Sequence, residues 1–167
     1  MRKIDILMLL VAALAVPATV PAAVAQEAAT PAADVEVLFT SSDPRLNANK
    51  QIVYHIFKDL LEAGHWELAD QYLTEAYIQH NPNVPSGRAG VVTFFKGLGV
   101  KPKPIPSKLS APVVQVVAEG DYVMVLSVLK LAAPSDPAKS YTTGWVDMFR
   151  IKDGKADEHW DSAPLMR

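Results

Sequence analysis

The sequence predicts an α+β domain in which helices come first and a curved antiparallel sheet then wraps around them. Three observations lead there. Helical periodicity starts after Asp43-Pro44, with Ile52, Val53, Ile56, Phe57, Leu60 and Leu61 forming an apolar stripe. From Pro112 onward the chain changes to Val- and Leu-rich runs separated by short turn signals. The closing stretch, Ser140 to Asp161, sets two aromatic-rich runs on either side of Lys152-Asp153-Gly154, a hairpin signal.

The elements follow in order. Asp43 is a natural N-cap and Pro44 a first helical residue, and Gly64 stops that helix. Trp66, Leu68, Ala69, Tyr72 and Leu73 fit a second, short helix packed on the first. Tyr77 to Pro82 reads as a short extended segment closed by Asn-Pro. Pro85-Ser86-Gly87 introduces a third helix whose apolar residues are Val91, Val92, Phe94, Phe95 and Leu98. The alternating prolines of 101–106 force a stiff extended rim. Pro112 to Ala118 and Tyr122 to Ala132 then pair across Glu119-Gly120-Asp121, and Pro134 to Pro137 makes the next loop.

Composition narrows the function. The chain has 167 residues, a formal net charge of −2 and no cysteine. That suits one domain, excludes disulfides and thiolate chemistry, and leaves no basic footprint for nucleic acid. Met1-Arg2-Lys3, the apolar run Ile6 to Val16 and the small-residue end Ala23-Val24-Ala25 make a signal peptide over residues 1–25. A periplasmic or secreted protein with no membrane attachment after cleavage is the expectation. Residues 26–43, rich in Ala, Pro and Glu, read as a flexible linker with a short ordered patch near Leu38 and Phe39; the domain takes residues 44–167.

Ionisable groups placed in strands that otherwise look like core are costly unless something uses them. Asp147 sits among Trp145, Val146, Met148 and Phe149, and the last strand ends in Glu158, His159, Trp160 and Asp161. A two-residue loop would pair Asp147 with Trp160 and put the two aspartates on opposite faces. A three-residue loop with Gly154 as a left-handed bulge pairs Ile151 with Lys155, sets Asp147 opposite His159 and Asp161 opposite Trp145, and gathers all four on one face. The second register is the expectation.

The order helix, short helix, Y-I-Q-H-N-P, helix and meander ending in F-R-I-K-D-G-K-x-x-E-H-W-D resembles the SnoaL-like polyketide cyclase family of the nuclear transport factor 2-like superfamily. The resemblance covers about Asn47 to Asp161. It implies a cone-shaped barrel with a pocket between the concave sheet and the helices, a homodimer, and no cofactor or metal. In characterised cyclases of the family the aspartate closing the final motif is the acid/base, which falls on Asp161. A pocket histidine of theirs falls on Asp147, a departure, and their pocket asparagine falls on Asn81. Both strand positions face the cavity in that family, which favours the bulged register.

The chemistry that follows is proton abstraction beside a carbonyl, which needs a base near carbon and a donor near the developing enolate oxygen. Asp161, buried among Trp145, Trp160 and Phe149, is the expected base. Asp147 would share a proton with it, and His80 completes the catalytic set. Asn81, Trp145, His159 and Phe149 would line the substrate site. No short metal-ligand spacing, glycine-rich phosphate loop or G-x-S-x-G elbow occurs, so neither metal nor cofactor is expected. The expected partner is a small apolar carbonyl compound, processed by aldol, cyclase or isomerase chemistry. The rival is a non-catalytic ligand-binding or interaction module on the same fold.

Overall fold

The computed structural model describes residues 27–166; the expected signal segment lies outside them. The helical half opens with α1, Val35–Leu38. Phe39, just after it, is fully buried in the core, so part of the stretch read as linker belongs to the domain. The Asp43 carboxylate caps α2, Pro44–His55, accepting from the backbone N–H of Arg45 and Leu46 at 2.8 and 2.9 Å. The helix then widens into π winding over Ile56–Glu62, where the Ala63 N–H reaches back to the Lys58 carbonyl at 3.0 Å. Gly64, at φ +77°, ends it. A 3₁₀ turn, Trp66–Leu68, leads into α3, Ala69–Tyr72, and α4 spans Arg88–Gly97. The proline-rich rim runs without regular structure, tied back by the Lys103 N–H to the Ala63 carbonyl at 3.0 Å.

Among the described residues, five strands form one sheet in the order β1-β5-β4-β3-β2. They are β1, Leu73–Gln79; β2, Val113–Glu119; β3, Tyr122–Ala133; β4, Asp136–Lys152; and β5, Lys155–Asp161. Strands β2 to β5 form the expected antiparallel meander, whereas β1 lies parallel to β5. Hairpins dictate the direction of the meander. No hairpin ties β1 to its neighbour, and the helical connections leave its direction open. Val113, Val123, Val125, Phe149, Ile151 and Ala156 on the sheet's inner face pack with Phe39, Val53, Phe57 and Leu60 of the helical half.

The closing hairpin departs from the expected register. Its turn has two residues, Asp153 at φ +51° and Gly154 at φ +76°, with Lys152 paired to Lys155. Two left-handed residues make the turn type that matches strand twist, and Asp tolerates that region well enough to need no third residue. Beyond Ile151–Ala156 the ladder shifts, so that Arg150 pairs with Glu158 and Asp157 is the extra residue of a bulge. The Arg150 guanidinium holds it there, donating from Nε and Nη2 to the two Asp157 oxygens at 3.0 and 2.9 Å. Nη2 also lies 2.8 Å from Glu158 Oε2. The shift pairs Phe149 with His159 and Asp147 with Asp161. Asp147 therefore stands opposite Asp161 rather than His159, yet both aspartates still point the same way.

Candidate active site

A cavity of about 420 Å³ opens between the helices and the concave face of the sheet. Ile56, Leu60, Trp66, Val91, Phe94 and Phe95 supply its helical wall. The sheet contributes Trp145, Asp147 and Phe149 from β4 and His159 and Asp161 from β5. Strand alternation explains the selection: every second residue of each strand faces inward, and the bulge at Asp157 keeps His159 and Asp161 on that side. Of the expected substrate-site residues, Asn81, Trp145, His159 and Phe149 all line this cavity.

The polar residues form one connected chain. Asp161 Oδ2 accepts from Asn81 Nδ2 at 2.6 Å, and its Oδ1 accepts from the Ala163 N–H at 2.9 Å. Asn81 Oδ1 in turn accepts from the backbone N–H and side-chain amide of Asn83, both at 2.9 Å. Asn83 Nδ2 reaches the Pro164 carbonyl at 2.9 Å, and its Oδ1 accepts from the Met166 N–H at 2.7 Å. The C-terminal segment is thereby strapped along the cavity, where Ala163, Pro164 and Met166 line it.

Beside this chain, His159 is buried with Nε2 at 3.1 Å from Asp147 Oδ1 and Nδ1 at 2.8 Å from Gln79 Oε1. The Asn81 N–H also donates to Gln79 Oε1, at 3.0 Å, which identifies that atom as the amide oxygen. An oxygen has no hydrogen to give, so His159 Nδ1 carries one. The Nε2–Asp147 contact then holds a single proton, placed either on the imidazole or on the carboxyl group. Asp147 Oδ1 thus has His159 as its partner, while the Asp161 oxygens are taken by Asn81 and the Ala163 N–H. The ligand atoms of Asp147, His159 and Asp161 lie within 4.8 Å of one another, close enough for a divalent cation to take the place of that proton.

Two corrections follow from the same alternation. His80 follows Gln79 in sequence and turns to the outer face, its Nε2 at 2.8 Å from Glu158 Oε1 and its ring stacked on Trp160 with centroids 5.0 Å apart. His80 is therefore not part of the cavity, and Trp160 does not cover Asp161. Two inward residues of β1 take their place. Gln79 is one, and Tyr77 is the other, 3% exposed. Burial, and then the charges of Asp147 and Asp161, push the Tyr77 phenol well above its ordinary range, so it enters the cavity as an O–H donor. The signal for both was present in Tyr77, Gln79 and Asn81 at every second position, once the strand is recognised to begin at Leu73.

Comparison with known proteins agrees with this architecture. A family model described as SnoaL-like domain matches residues 54–159. No curated protein matches the chain. Among solved structures, a nuclear transport factor 2-like protein of unknown function from Burkholderia pseudomallei superposes with a TM-score of 0.50 at 15% identity, covering 68% of this chain and 88% of its own. A candidate polyketide cyclase from Acidithiobacillus ferrooxidans gives 0.49 at 18% identity, over 68% of this chain and 86% of that one. A candidate SnoaL-like polyketide cyclase from Jannaschia gives 0.48 at 20% identity, over 69% and 85%.

Proposed function

The chain belongs to the SnoaL-like domain family, and from that premise we propose that it binds a small, largely apolar carbonyl compound in this cavity and moves a proton beside the carbonyl without a cofactor. The observation that supports this most is the pairing of Asp147 with Asp161 across β4 and β5, with His159 at their side inside a hollow whose helical wall is apolar. Asp161 takes the proton from the carbon next to the carbonyl, and the C–H electrons pass into the enolate. The Tyr77 hydroxyl and the proton held between Asp147 and His159 face the developing oxygen charge and stabilise it. The enolate then either attacks a second carbonyl of the same molecule through its carbon, closing a ring as the new alkoxide takes the proton back from Asp161, or, where it is conjugated with a double bond, takes that proton at the far carbon and shifts the double bond. Asn81 and the Ala163 N–H keep the Asp161 carboxyl group aimed throughout.

The test is Asp161→Asn, which keeps the shape and removes the base. Carbonyl compounds found by thermal shift should still bind the variant, while exchange of their α-hydrogens with solvent deuterium, catalysed by the native protein, should fall about a hundredfold or more. Unchanged exchange in the variant would refute Asp161 as the base. No exchange in the native protein, with binding intact, would leave the ligand-binding module as the correct reading.

Export after cleavage at Ala25 and assembly as a homodimer belong to the same proposal. The outer face of the sheet supports the dimer, with Val117, Tyr122 and Met124 exposed there. The intact mass of the exported chain tests the first, and sedimentation equilibrium tests the second.

A further inference from the structure

Beside the main cavity lies a second recess of about 520 Å³ that the proposed chemistry does not use. Leu61, Trp145 and Asp147 line both hollows and so form the partition between them. The recess is otherwise walled by apolar groups, among them Phe57, Pro112, Val128 and Leu129. Glu62 and Ser110, at its edge, satisfy each other: Ser110 donates from its N–H at 2.8 Å and its hydroxyl at 2.7 Å to the two Glu62 oxygens.

Ser127 is different. It lines the recess, is only 9% exposed, and its hydroxyl is buried with no hydrogen-bond partner among the described residues. On β3 it continues the inward series Val123 and Val125, both fully buried valines, and it pairs with Trp145 of the partition. A hydroxyl at that point in an apolar series is a cost to folding unless something accepts from it, and the three staggered positions of a serine side chain let it swing toward the recess.

We propose that the recess is a second compartment of the same binding site, and that Ser127 donates there to an oxygen at the far end of the ligand. This rests on the proposed carbonyl binding at Asp161 and narrows its substrate class. The ligand is an elongated, mostly apolar molecule with a carbonyl at the Asp161 end. It passes Trp145 and carries a second acceptor oxygen, a ketone or ether, at the Ser127 end. Asp147, which borders both compartments, marks where the molecule leaves the carbonyl end for the recess.

The test compares two probes on the full chain by calorimetry: naphthalene acetylated at both ends and naphthalene acetylated at one end only. The native protein should bind the doubly acetylated probe about fivefold more tightly, the effect of one neutral hydrogen bond. Ser127→Ala should abolish that preference and leave the affinity for the singly acetylated probe unchanged. Equal binding of the two probes by the native protein, or a preference that survives in S127A, would overturn the second compartment while leaving the main cavity standing. Failure of the native protein to bind either probe would overturn both readings together.

Discussion

His159 stands between a carboxylate and an amide oxygen, and a bare imidazole nitrogen cannot satisfy both. Gln79 settles which nitrogen is committed, because its oxygen is already fixed by the Asn81 N–H and can only accept. Replacing Gln79 with Leu would strip the acceptor from two inward N–H groups at once, one on His159 and one on Asn81. The expected cost is about 1–3 kcal/mol of folding stability, measured by urea denaturation. In nitrogen NMR, the native protein should show a hydrogen fixed on His159 Nδ1, and Q79L should show it exchanging between the two ring nitrogens. A native spectrum with Nδ1 unprotonated would contradict the whole proton count of the site. The residue scale is also where the sequence was least explicit. Asp161, Asn81 and Asp147 could be read from a motif and from charges set in apolar strands, and the structure brings them together. Gln79 and Tyr77 carry neither mark; only their alternation with Asn81 points to them, and it is legible only once the start of β1 is known. His80 was misplaced for the complementary reason: a histidine attracts a functional reading until the alternation of its strand is known.

At the scale of elements, the closing hairpin reaches the right face by an unexpected route. Sequence offered two loop lengths, each assuming a regular ladder beyond the turn, and the tighter one would have turned Asp161 outward. The structure has that tight turn and restores the face with the Asp157 bulge. The pattern of apolar residues could not reveal this, because a bulge depends on a side chain reaching across to grip it. Arg150 does so, and its bond to Asp157 raises the guanidinium above its ordinary value. Asp157 is therefore what Arg150 holds. Arg150→Ala should lower the melting temperature and weaken carbonyl-ligand binding together, since the regular ladder it permits carries Asp161 to the outer face. Deleting Asp157 should do the reverse of what a deletion in a strand usually does. It removes the extra residue, leaves Asp147 opposite Asp161, and should preserve ligand binding. Loss of binding in the deletion with retention in R150A would show that the bulge does not set the register.

Across the whole molecule, three phenols sit beside carboxylate groups, two of them tying segments of the helical half together and the third on β1 in the cavity. The Tyr54 hydroxyl donates to Glu36 Oε1 at 3.0 Å, and the Leu109 N–H donates to the same oxygen at 2.9 Å, so the segment before α2 is bound to both the helix and the chain leading to β2. The Tyr72 hydroxyl donates to Asp59 Oδ2 at 2.7 Å, joining α3 to the π-wound turn, and the His55 ring contacts the same oxygen at 2.9 Å. Tyr77 lies in the cavity under the influence of Asp147 and Asp161. In all three, burial comes first and the neighbouring carboxylate second, and both raise the phenol above its ordinary value of 10.0. The sign of the consequence follows from proton counting. Below that value folded and unfolded chains both keep these protons, so the phenols contribute their full share to stability. As the pH rises past 10.0 the unfolded chain releases them while the folded chain retains them, and stability falls with each further step. The unfolding free energy, followed by urea titration from about pH 8 to about pH 11, should therefore be level with respect to these groups at first and then decline, with the tyrosinate absorbance of Tyr54, Tyr72 and Tyr77, apart from that of the exposed Tyr122 and Tyr141, appearing together with unfolding. Tyr54→Phe removes one of the three titrating groups and should make the decline shallower. A decline equally steep in Y54F, or tyrosinate forming fully while the fold persists, would mean that the fold does not hold these phenols protonated.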